Sequence, residues 1–172
     1  MTVVDENDGN FKKIEHGSGR RFDIAGAKFT WKVRNENTDN SFSIYEMTLQ
    51  PGEGVPLHYH PYVEVFYILD GEIEFLRRDN VTDNWVPAIA GETIIVPTNG
   101  LHAFYNRTRA PARLLNVANQ LHQPFFDALD DLDRSEPFSD LPVPEAMIKV
   151  GSVAANYSMH FQPFDPPSVK KA

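Results

Sequence analysis

Short apolar runs separated by polar turn sequences fill most of the chain up to about residue 120. Two alternating runs, VEVFYIL and EIEFLRRD, flank Asp70-Gly71, a dipeptide typical of β-hairpins. The other runs are KFTWKV, FSIYEMTL, NWVPAI, TIIVP, HAFYN and ARLLNVAN. Roughly eight or nine short strands with regular turn spacing predict an all-β fold, an antiparallel sandwich or barrel.

The pattern changes after Gln123. The segment PFFDALDDLDR has proline at a possible first helical position, and PEAMIKVGSVAANYSMHF has apolar or small residues at helical spacing. A proline-rich connector separates them. We predict two helices packed on the barrel rather than a second domain. The expected organisation is a flexible leader over 1–10, a β-barrel over 11–123 and a C-terminal helical extension over 124–172.

Composition narrows the possible functions. The 172 residues suffice for one domain with a packed core. A net charge of −8 without a large basic cluster argues against a nucleic-acid or anionic-lipid partner. The absence of cysteine excludes disulfides, thiolate nucleophiles and cysteine-based zinc sites. The first ten residues do not resemble a signal peptide and no apolar stretch is long enough to cross a bilayer, so the expected location is cytoplasmic.

His58, His60 and Glu64 interrupt an otherwise apolar run. Ionisable side chains are costly to bury unless they are paired. Residues two apart on a strand face the same side, so a continuous strand would direct these three residues, with Phe66 and Ile68, to one face. The proline after His60 could interrupt that strand. A face of this composition is typical of a cavity wall.

A third histidine could face the same cavity, because His102 follows a turn and begins the strand HAFYN. Three imidazoles and a carboxylate form a common ligand set for one divalent transition metal ion, which could be Fe, Mn, Ni, Cu or Zn. The competing interpretation places the first two histidines at an exposed strand end and Glu64 on the surface. The remaining histidines lack a partner pattern and are interpreted as structural or exposed: His16, His122 and His160.

Two spaced motifs resemble those of the cupin superfamily. The first is G(X)5HXH(X)3E(X)6G over residues 52–71, and the second is G(X)5P(X)4H(X)3N over 91–106. The matching positions are Gly52, His58, His60, Glu64, Gly71, Gly91, Pro97, His102 and Asn106. The family pattern has glycine where this chain has Asn99, followed by Gly100; asparagine tolerates the left-handed backbone of such a turn.

The resemblance implies a double-stranded β-helix, or jelly-roll barrel, with a metal held by both histidines of the first motif, Glu64 and His102. It also implies that Glu64 could leave the metal and accept a proton, as in quercetinase-like members, which makes it the catalytic candidate. The motif glycines and Gly100 are expected at turns with positive φ. Pro97 is expected to stiffen the approach to His102, and Asn106 to be a structural hydrogen-bonding residue.

A metal centre with these ligands would carry a net charge of about +1 and keep open coordination positions, so it would attract a small anionic or chelating oxygen donor. The expected pocket residues favour an apolar or aromatic ligand body. They are Phe66, Ile68, Phe104, Tyr45 and Met47.

Two classes of function remain open. The first is a metal-dependent dioxygenase of the quercetinase-like group, which the whole chain resembles; open coordination and an aromatic lining favour it. The second is a non-catalytic metal or small-molecule binding module, favoured by the lack of a further acid or base in the motifs. A cupin isomerase or epimerase is a weaker alternative, because no Lys, Arg and Tyr cluster for a phosphosugar is identifiable.

The opposite face of the central strand predicts a partner. Val63, Val65, Tyr67 and Leu69 should point away from the cavity and form a face too apolar to leave in water. The helices could cover part of it, and small cupins often pair through their sheets. We expect a homodimer in which the segment from Phe22 to Val33 also crosses to, or packs against, the partner.

Overall fold

The computed structural model describes residues 11–24, 27–78 and 83–171; the predicted leader over 1–10 lies outside them. The described strands are β1 Arg21–Ile24, β2 Ala27–Val33, β3 Phe42–Leu49, β4 Gly54–Tyr59, β5 Glu64–Asp70, β6 Glu72–Arg78, β7 Asp83–Ile89, β8 Thr93–Val96, β9 His102–Tyr105, β10 Ala112–Asn119 and β11 His160–Phe161. The helices are α1 His122–Ser135 and α2 Val143–Ala154, with short 3-10 turns at Asn35–Asn37 and Ala155–Tyr157.

The strands form two antiparallel sheets that enclose the core. The six-stranded sheet has the order β1-β2-β3-β10-β5-β8 and the five-stranded sheet the order β11-β4-β9-β6-β7. Aromatic residues from both sheets meet between them: Phe66 of β5 lies 5.0 Å from Phe104 of β9 and 5.2 Å from Phe75 of β6, measured between ring centroids. The prediction of an all-β double-stranded β-helix with two C-terminal helices is confirmed.

Alternation decides which side chains enter the barrel. In β3, Tyr45, Met47 and Leu49 are buried and the residues between them are partly exposed. The neighbouring strand β10 alternates in the same way, and Met47 lies opposite Leu114. This alternation directs Tyr45, Met47 and Leu49 into the barrel.

The chain changes sheets between the two histidines of the first motif and Glu64. His58 lies on β4 in the five-stranded sheet, whereas Glu64 begins β5 in the six-stranded sheet. The continuous strand on which the parity argument depended is therefore not formed, because the chain turns a corner after His60. Phe66 and Ile68 do share the buried face of Glu64.

The helices pack over one end of the barrel. Phe125, Phe126 and Leu129 of α1 are buried, and Phe126 contacts aromatic side chains of β1, β2 and β3. In α2 the buried residues Ala146, Val150 and Ala154 recur at every fourth position. Among the described residues, no helix is long and apolar enough to span a membrane.

The second helix is shorter than predicted. Ser158 has a left-handed backbone with φ of 56°, which ends the helical path. The chain then forms β11, which pairs with β4 and places Phe161 opposite His58. The predicted helical extension is therefore helical only to Tyr157, and 158–171 is not helical.

Residues 162–171, which we call the strap, run over the outer face of the five-stranded sheet. Gln162 N donates to Leu57 O at 2.9 Å and Lys170 N donates to Arg107 O at 2.8 Å. Phe164 packs on a small apolar cluster on that face. The members of this cluster are Leu57, Leu76, Ala103 and Tyr105, with Trp85 and Leu101 at its edge. The chain thus covers this outer face by itself.

The segment from Phe22 to Val33 packs on its own chain. It contributes β1 and β2, which extend the six-stranded sheet beside β3. Phe22, Phe29 and Trp31 are buried, and each ring contacts Phe126.

Candidate metal centre

Four side chains from three strands and one corner converge inside the barrel. His58 and His102 lie opposite each other on β4 and β9, His60 follows β4, and Glu64 begins β5. All four are buried, and one potential ligand atom from each lies within 4.8 Å of the others. The structure thus brings together the four residues predicted as metal ligands.

Backbone carbonyls orient the three imidazoles. Each Nδ1 atom lies within hydrogen-bond distance of a carbonyl oxygen two residues away in the chain. The pairs are His58 with Pro56 at 2.8 Å, His60 with Tyr62 at 3.0 Å and His102 with Gly100 at 2.8 Å. A carbonyl oxygen can only accept, so each Nδ1 carries the proton and each Nε2 presents a lone pair. Three nitrogen lone pairs are therefore available to a cation.

The carboxylate faces two of those lone pairs. Oε2 of Glu64 lies 2.7 Å from Nε2 of His60 and 3.1 Å from Nε2 of His102. With Nδ1 protonated on each ring, Nε2 and Oε2 are both acceptors, so these contacts need a proton or a metal ion between them. In the described chain no lysine or arginine pairs with Glu64. The donor set and its orientation therefore fit a divalent transition metal ion.

The electrostatics favour ligand-competent protonation states. Burial would raise the pKa of Glu64, but His122, His102 and His60 outweigh it and hold this pKa well below the usual value. Burial, reinforced by His102, lowers the pKa of His58 well below its usual value. Near neutral pH the carboxylate is therefore ionised and the His58 imidazole is neutral.

The other carboxylate oxygen is held by Asn116. Its Nδ2 donates to Oε1 of Glu64 at 3.0 Å, which leaves Oε2 directed at the histidines. Asn116 was not among the residues predicted from the sequence. The available signal was its parity, because Asn116 stands between Leu114 and Ala118 at the inward positions of ARLLNVAN.

His122 also belongs to this site. It is the first residue of α1, is 2% exposed, and its Nδ1 lies 3.1 Å from Oε1 of Glu64. Its ring stacks on Phe126, with centroids 4.8 Å apart. Burial lowers the pKa of His122 to about 4, although Glu64 opposes the shift, so the ring is neutral near pH 7.

The interpretation of His122 as structural or exposed therefore missed a site residue. The signal was the helical period of α1, which places His122 on the same face as Phe125, Phe126 and Leu129. His16 and His160 are exposed, as interpreted.

A cavity of about 70 Å³ adjoins the cluster between the barrel and the helices. His58, Glu64 and His122 border it, and the rest of its wall is mainly apolar. The apolar wall includes Phe29, Val55, Phe125, Phe126, Leu129, Met147, Val150, Met159 and Phe161. The open side of the cluster therefore faces a small apolar space.

The predicted pocket residues divide into two groups. Tyr45, Met47 and Phe104 line the cavity. Phe66 and Ile68 do not, because β5 leads away from Glu64 into the barrel core and both side chains are fully buried there.

The remaining motif positions shape the turns around the cluster. Gly52, Gly71 and Gly91 have positive φ, and Asn99 adopts the left-handed conformation at φ of 60°. Gly100 does not have the expected positive φ; instead, a Cβ there would lie 2.9 Å from Pro97 O, so close packing requires glycine.

Asn106 is a fully buried hydrogen-bonding residue. Its Nδ2 donates to Leu49 O at 2.9 Å and Ala110 O at 2.7 Å, and its Oδ1 accepts from Thr108. These bonds join the end of β3 to the turn that precedes β10.

Part of the chain matches a known domain family. Residues 45–118 match the cupin domain family. Among curated protein sequences, none matches this chain significantly.

Three solved structures share the fold. The polyketide cyclase RemF from Streptomyces resistomycificus is 18% identical with a TM-score of 0.56, covering 64% of this chain and 80% of that one. A predicted oxalate decarboxylase from Thermotoga maritima is 25% identical with a TM-score of 0.56, covering 63% and 98%. A sugar phosphate isomerase from Silicibacter pomeroyi is 22% identical with a TM-score of 0.52, covering 63% and 75%.

These neighbours are described by different reactions, so the shared fold does not select one for this chain. The matched domain over residues 45–118, the two-sheet barrel and the buried histidine–glutamate cluster together show that this part of the chain is similar to the cupin domain family.

Proposed function

We propose that this protein is a metal-dependent oxygenase that acts on a small anionic or chelating substrate. One divalent transition metal ion would be held by Nε2 of His58, His60 and His102 and by Glu64. The observation that carries the proposal is the convergence of three fixed Nε2 lone pairs on a buried carboxylate that has no lysine or arginine partner in the described chain. Availability would choose among Fe, Mn, Ni, Cu and Zn.

The ligand position follows from the cavity. His58 and Glu64 border it, so a bound ligand would approach the centre from that side. The metal would supply Lewis acidity and attraction for an anionic oxygen. The apolar wall would exclude bulk water and hold the body of the ligand.

Glu64 is the proposed proton acceptor. Asn116 donates to Oε1 and fixes the carboxylate plane, so Oε2 is the oxygen that would leave the metal and take the proton. No second base is needed for this step. Tyr45 also borders the cavity, but burial, followed by Glu64, raises the pKa of its hydroxyl and keeps it protonated.

The cavity limits the substrate. A cavity of about 70 Å³ has roughly half the volume of an apolar cavity that takes up benzene. A multi-ring flavonol does not fit this space, so within the quercetinase-like proposal we favour a smaller substrate.

A non-catalytic binding module is the second candidate. The composition of the cavity wall favours this candidate. Outside the histidine–glutamate group, Tyr45 is the one described cavity residue with an ionisable side chain. An isomerase for a phosphosugar is less well supported, since no described lysine or arginine lines the cavity.

Metal analysis and oxygen uptake separate these candidates. Untagged protein would be analysed for metal, reconstituted with each candidate ion, and assayed for oxygen consumption with catechols, small hydroxy acids and a flavonol. The oxygenase proposal expects metal-dependent uptake that Glu64→Gln abolishes. Stoichiometric metal without uptake on the panel would indicate the binding module, and failure to retain any metal would refute both.

We also propose that the six-stranded sheet pairs with a second copy of the chain. The outward side chains Val63, Tyr67 and Ile95 are 45%, 43% and 68% exposed, and Val65 lies opposite Ile95 between them. Burying such a patch favours association. Light scattering at micromolar concentration should give about twice the 19.5 kDa chain mass, and Ile95→Lys should reduce it. A monomer mass without concentration dependence would refute the pairing.

A further inference from the structure

His122 is a buried polar side chain that the metal cluster does not need. It lines the cavity, yet neither ring nitrogen makes a hydrogen bond to any described residue. Its Nδ1 lies 3.1 Å from Oε1 of Glu64, without the alignment of a hydrogen bond. A buried nitrogen without a partner is costly, so such a group indicates a position where a ligand or water belongs.

The neighbour of Nδ1 determines what Nε2 can bind. Nδ1 lies beside a carboxylate oxygen, which can only accept, and this proximity favours the proton on Nδ1 rather than on Nε2. Nε2 then carries a lone pair and can only accept a hydrogen bond. A ligand group that pairs with it must therefore be a donor, which a carbonyl or ether oxygen is not.

The cavity sets the size and charge of that donor. A volume of about 70 Å³ has room for roughly five water-sized groups at most, so the ligand is a small one. The wall beside His122 is apolar, with Phe125, Phe126 and Met147 among its members. An ammonium donor would be costly to bury there, whereas a neutral hydroxyl is not.

We propose that the cavity binds a small hydroxycarboxylate whose hydroxyl group donates a hydrogen bond to Nε2 of His122. This inference rests on the proposed function, because the carboxylate of the ligand needs the metal centre at His58 and Glu64 to offset its charge. His122 thus selects the ligand, while the four cluster residues hold the metal.

The test compares two anions of equal size on the metal-loaded protein. Glycolate and fluoroacetate have the same number of non-hydrogen atoms, but the fluorine cannot donate. Protein loaded with Co²⁺ would be titrated with each, and the visible absorption of the ion would report binding without any turnover. We expect glycolate to bind more tightly, and the glycolate-to-fluoroacetate affinity ratio to fall about tenfold in His122→Phe.

Comparing ratios between variants removes the difference in how the two anions bind the metal itself. His160→Phe is the matched control, because it makes the same substitution at an exposed position of the same tail and should leave the ratio unchanged. His122→Asn retains an acceptor in a smaller side chain and should keep part of the preference, which tests the proposal if the phenylalanine variant does not fold.

The outcomes distinguish this inference from the proposed function. Equal affinities in the wild type, or an unchanged ratio in both His122 variants, would overturn the role of His122 alone. If neither anion perturbs the Co²⁺ spectrum of the wild type, the anion-binding metal centre fails, and this inference fails with it.

Discussion

Two buried carboxylates on consecutive strands have opposite environments. Glu64 of β5 and Glu74 of β6 are 2% and 3% exposed. Glu74 points to the outer face, where it accepts from Arg107 Nη1 at 2.8 Å and pairs with Lys170 of the strap. Glu64 points inward, toward the imidazoles of His60 and His102. Backbone carbonyls contact Nδ1 of both rings and so orient the Nε2 lone pairs toward Glu64.

The comparison shows how a buried carboxylate can serve structure or binding. A buried charge is costly unless it is paired. At Glu74 the chain supplies both cations itself, so the site is complete and its contribution is to stability. At Glu64 no described lysine or arginine supplies a positive charge, so the compensating charge must come from outside the chain. The need for a cation from outside the chain is what makes the inner site a metal centre in our proposal.

The largest expected effect is loss of metal when an inner imidazole is removed. His58→Ala, His60→Ala or His102→Ala should each lower metal affinity by at least about 100-fold, because a ligand is deleted from a fixed set. Metal analysis after dialysis checks this, with His160→Ala as the control at an exposed position. Near-stoichiometric metal in all three variants would contradict the ligand assignment.

The second largest effect is expected when the pH is lowered. Metal occupancy of the inner site should then fall, because protons compete with the metal for the Nε2 lone pairs. Lowering the pH favours protonation, so occupancy should stay high near neutral pH and fall below about pH 6. Burial lowers the pKa of His58, so this ligand should be protonated at a lower pH than an ordinary histidine. Occupancy that stays flat between pH 7 and pH 5 would argue against a histidine-dominated site.

Glutamine substitutions at Glu74 and at Glu64 should have contrasting effects on metal binding and on stability. Glu74→Gln should leave metal content unchanged and lower the free energy of unfolding by about 2 kcal/mol, because charged hydrogen bonds are lost. Glu64→Gln should reduce metal binding and destabilise the metal-free protein less, because it removes an uncompensated buried charge. Urea denaturation of metal-free protein and metal analysis measure both. Equal losses of stability would refute the distinction.

The smallest effect is expected at the exposed end of the outer network. The Lys170 side chain is 50% exposed, so solvent screens its pairing with Glu74. Lys170→Ala should lower the free energy of unfolding by about 0.5 kcal/mol, less than Arg107→Ala, since Arg107 is 21% exposed. A larger loss at Lys170 than at Arg107 would show that the strap, rather than the barrel, stabilises Glu74.

The sequence predicted those features that depend on local pattern and fixed spacing. Strand alternation and the two motifs predicted the barrel and the grouping of His58, His60, Glu64 and His102, even though these residues do not lie on one continuous strand. The motif spacing worked because it encodes a corner between sheets, which parity alone does not describe.

The residues that sequence reasoning missed depend on contacts between distant segments. Asn116 and His122 reach Glu64 across 52 and 58 positions of the chain, and no local period specifies such a meeting. Likewise, β11 and the strap follow a helical-looking pattern that ends at Ser158, where a left-handed residue redirects the chain. Tertiary packing overrode local propensity there.

The metal cluster and much of the cavity wall come from different parts of the chain, and this bears on how such a protein can diversify. The four residues of the cluster lie within the matched domain, 45–118, whereas His122, Phe126, Met147 and Phe161 come from the segment that follows it. Substitutions in that later segment can alter the shape and polarity of the cavity while leaving the cluster intact. Laboratory evolution aimed at new ligands should therefore draw its variants from 122–161, where change carries the least risk to the metal.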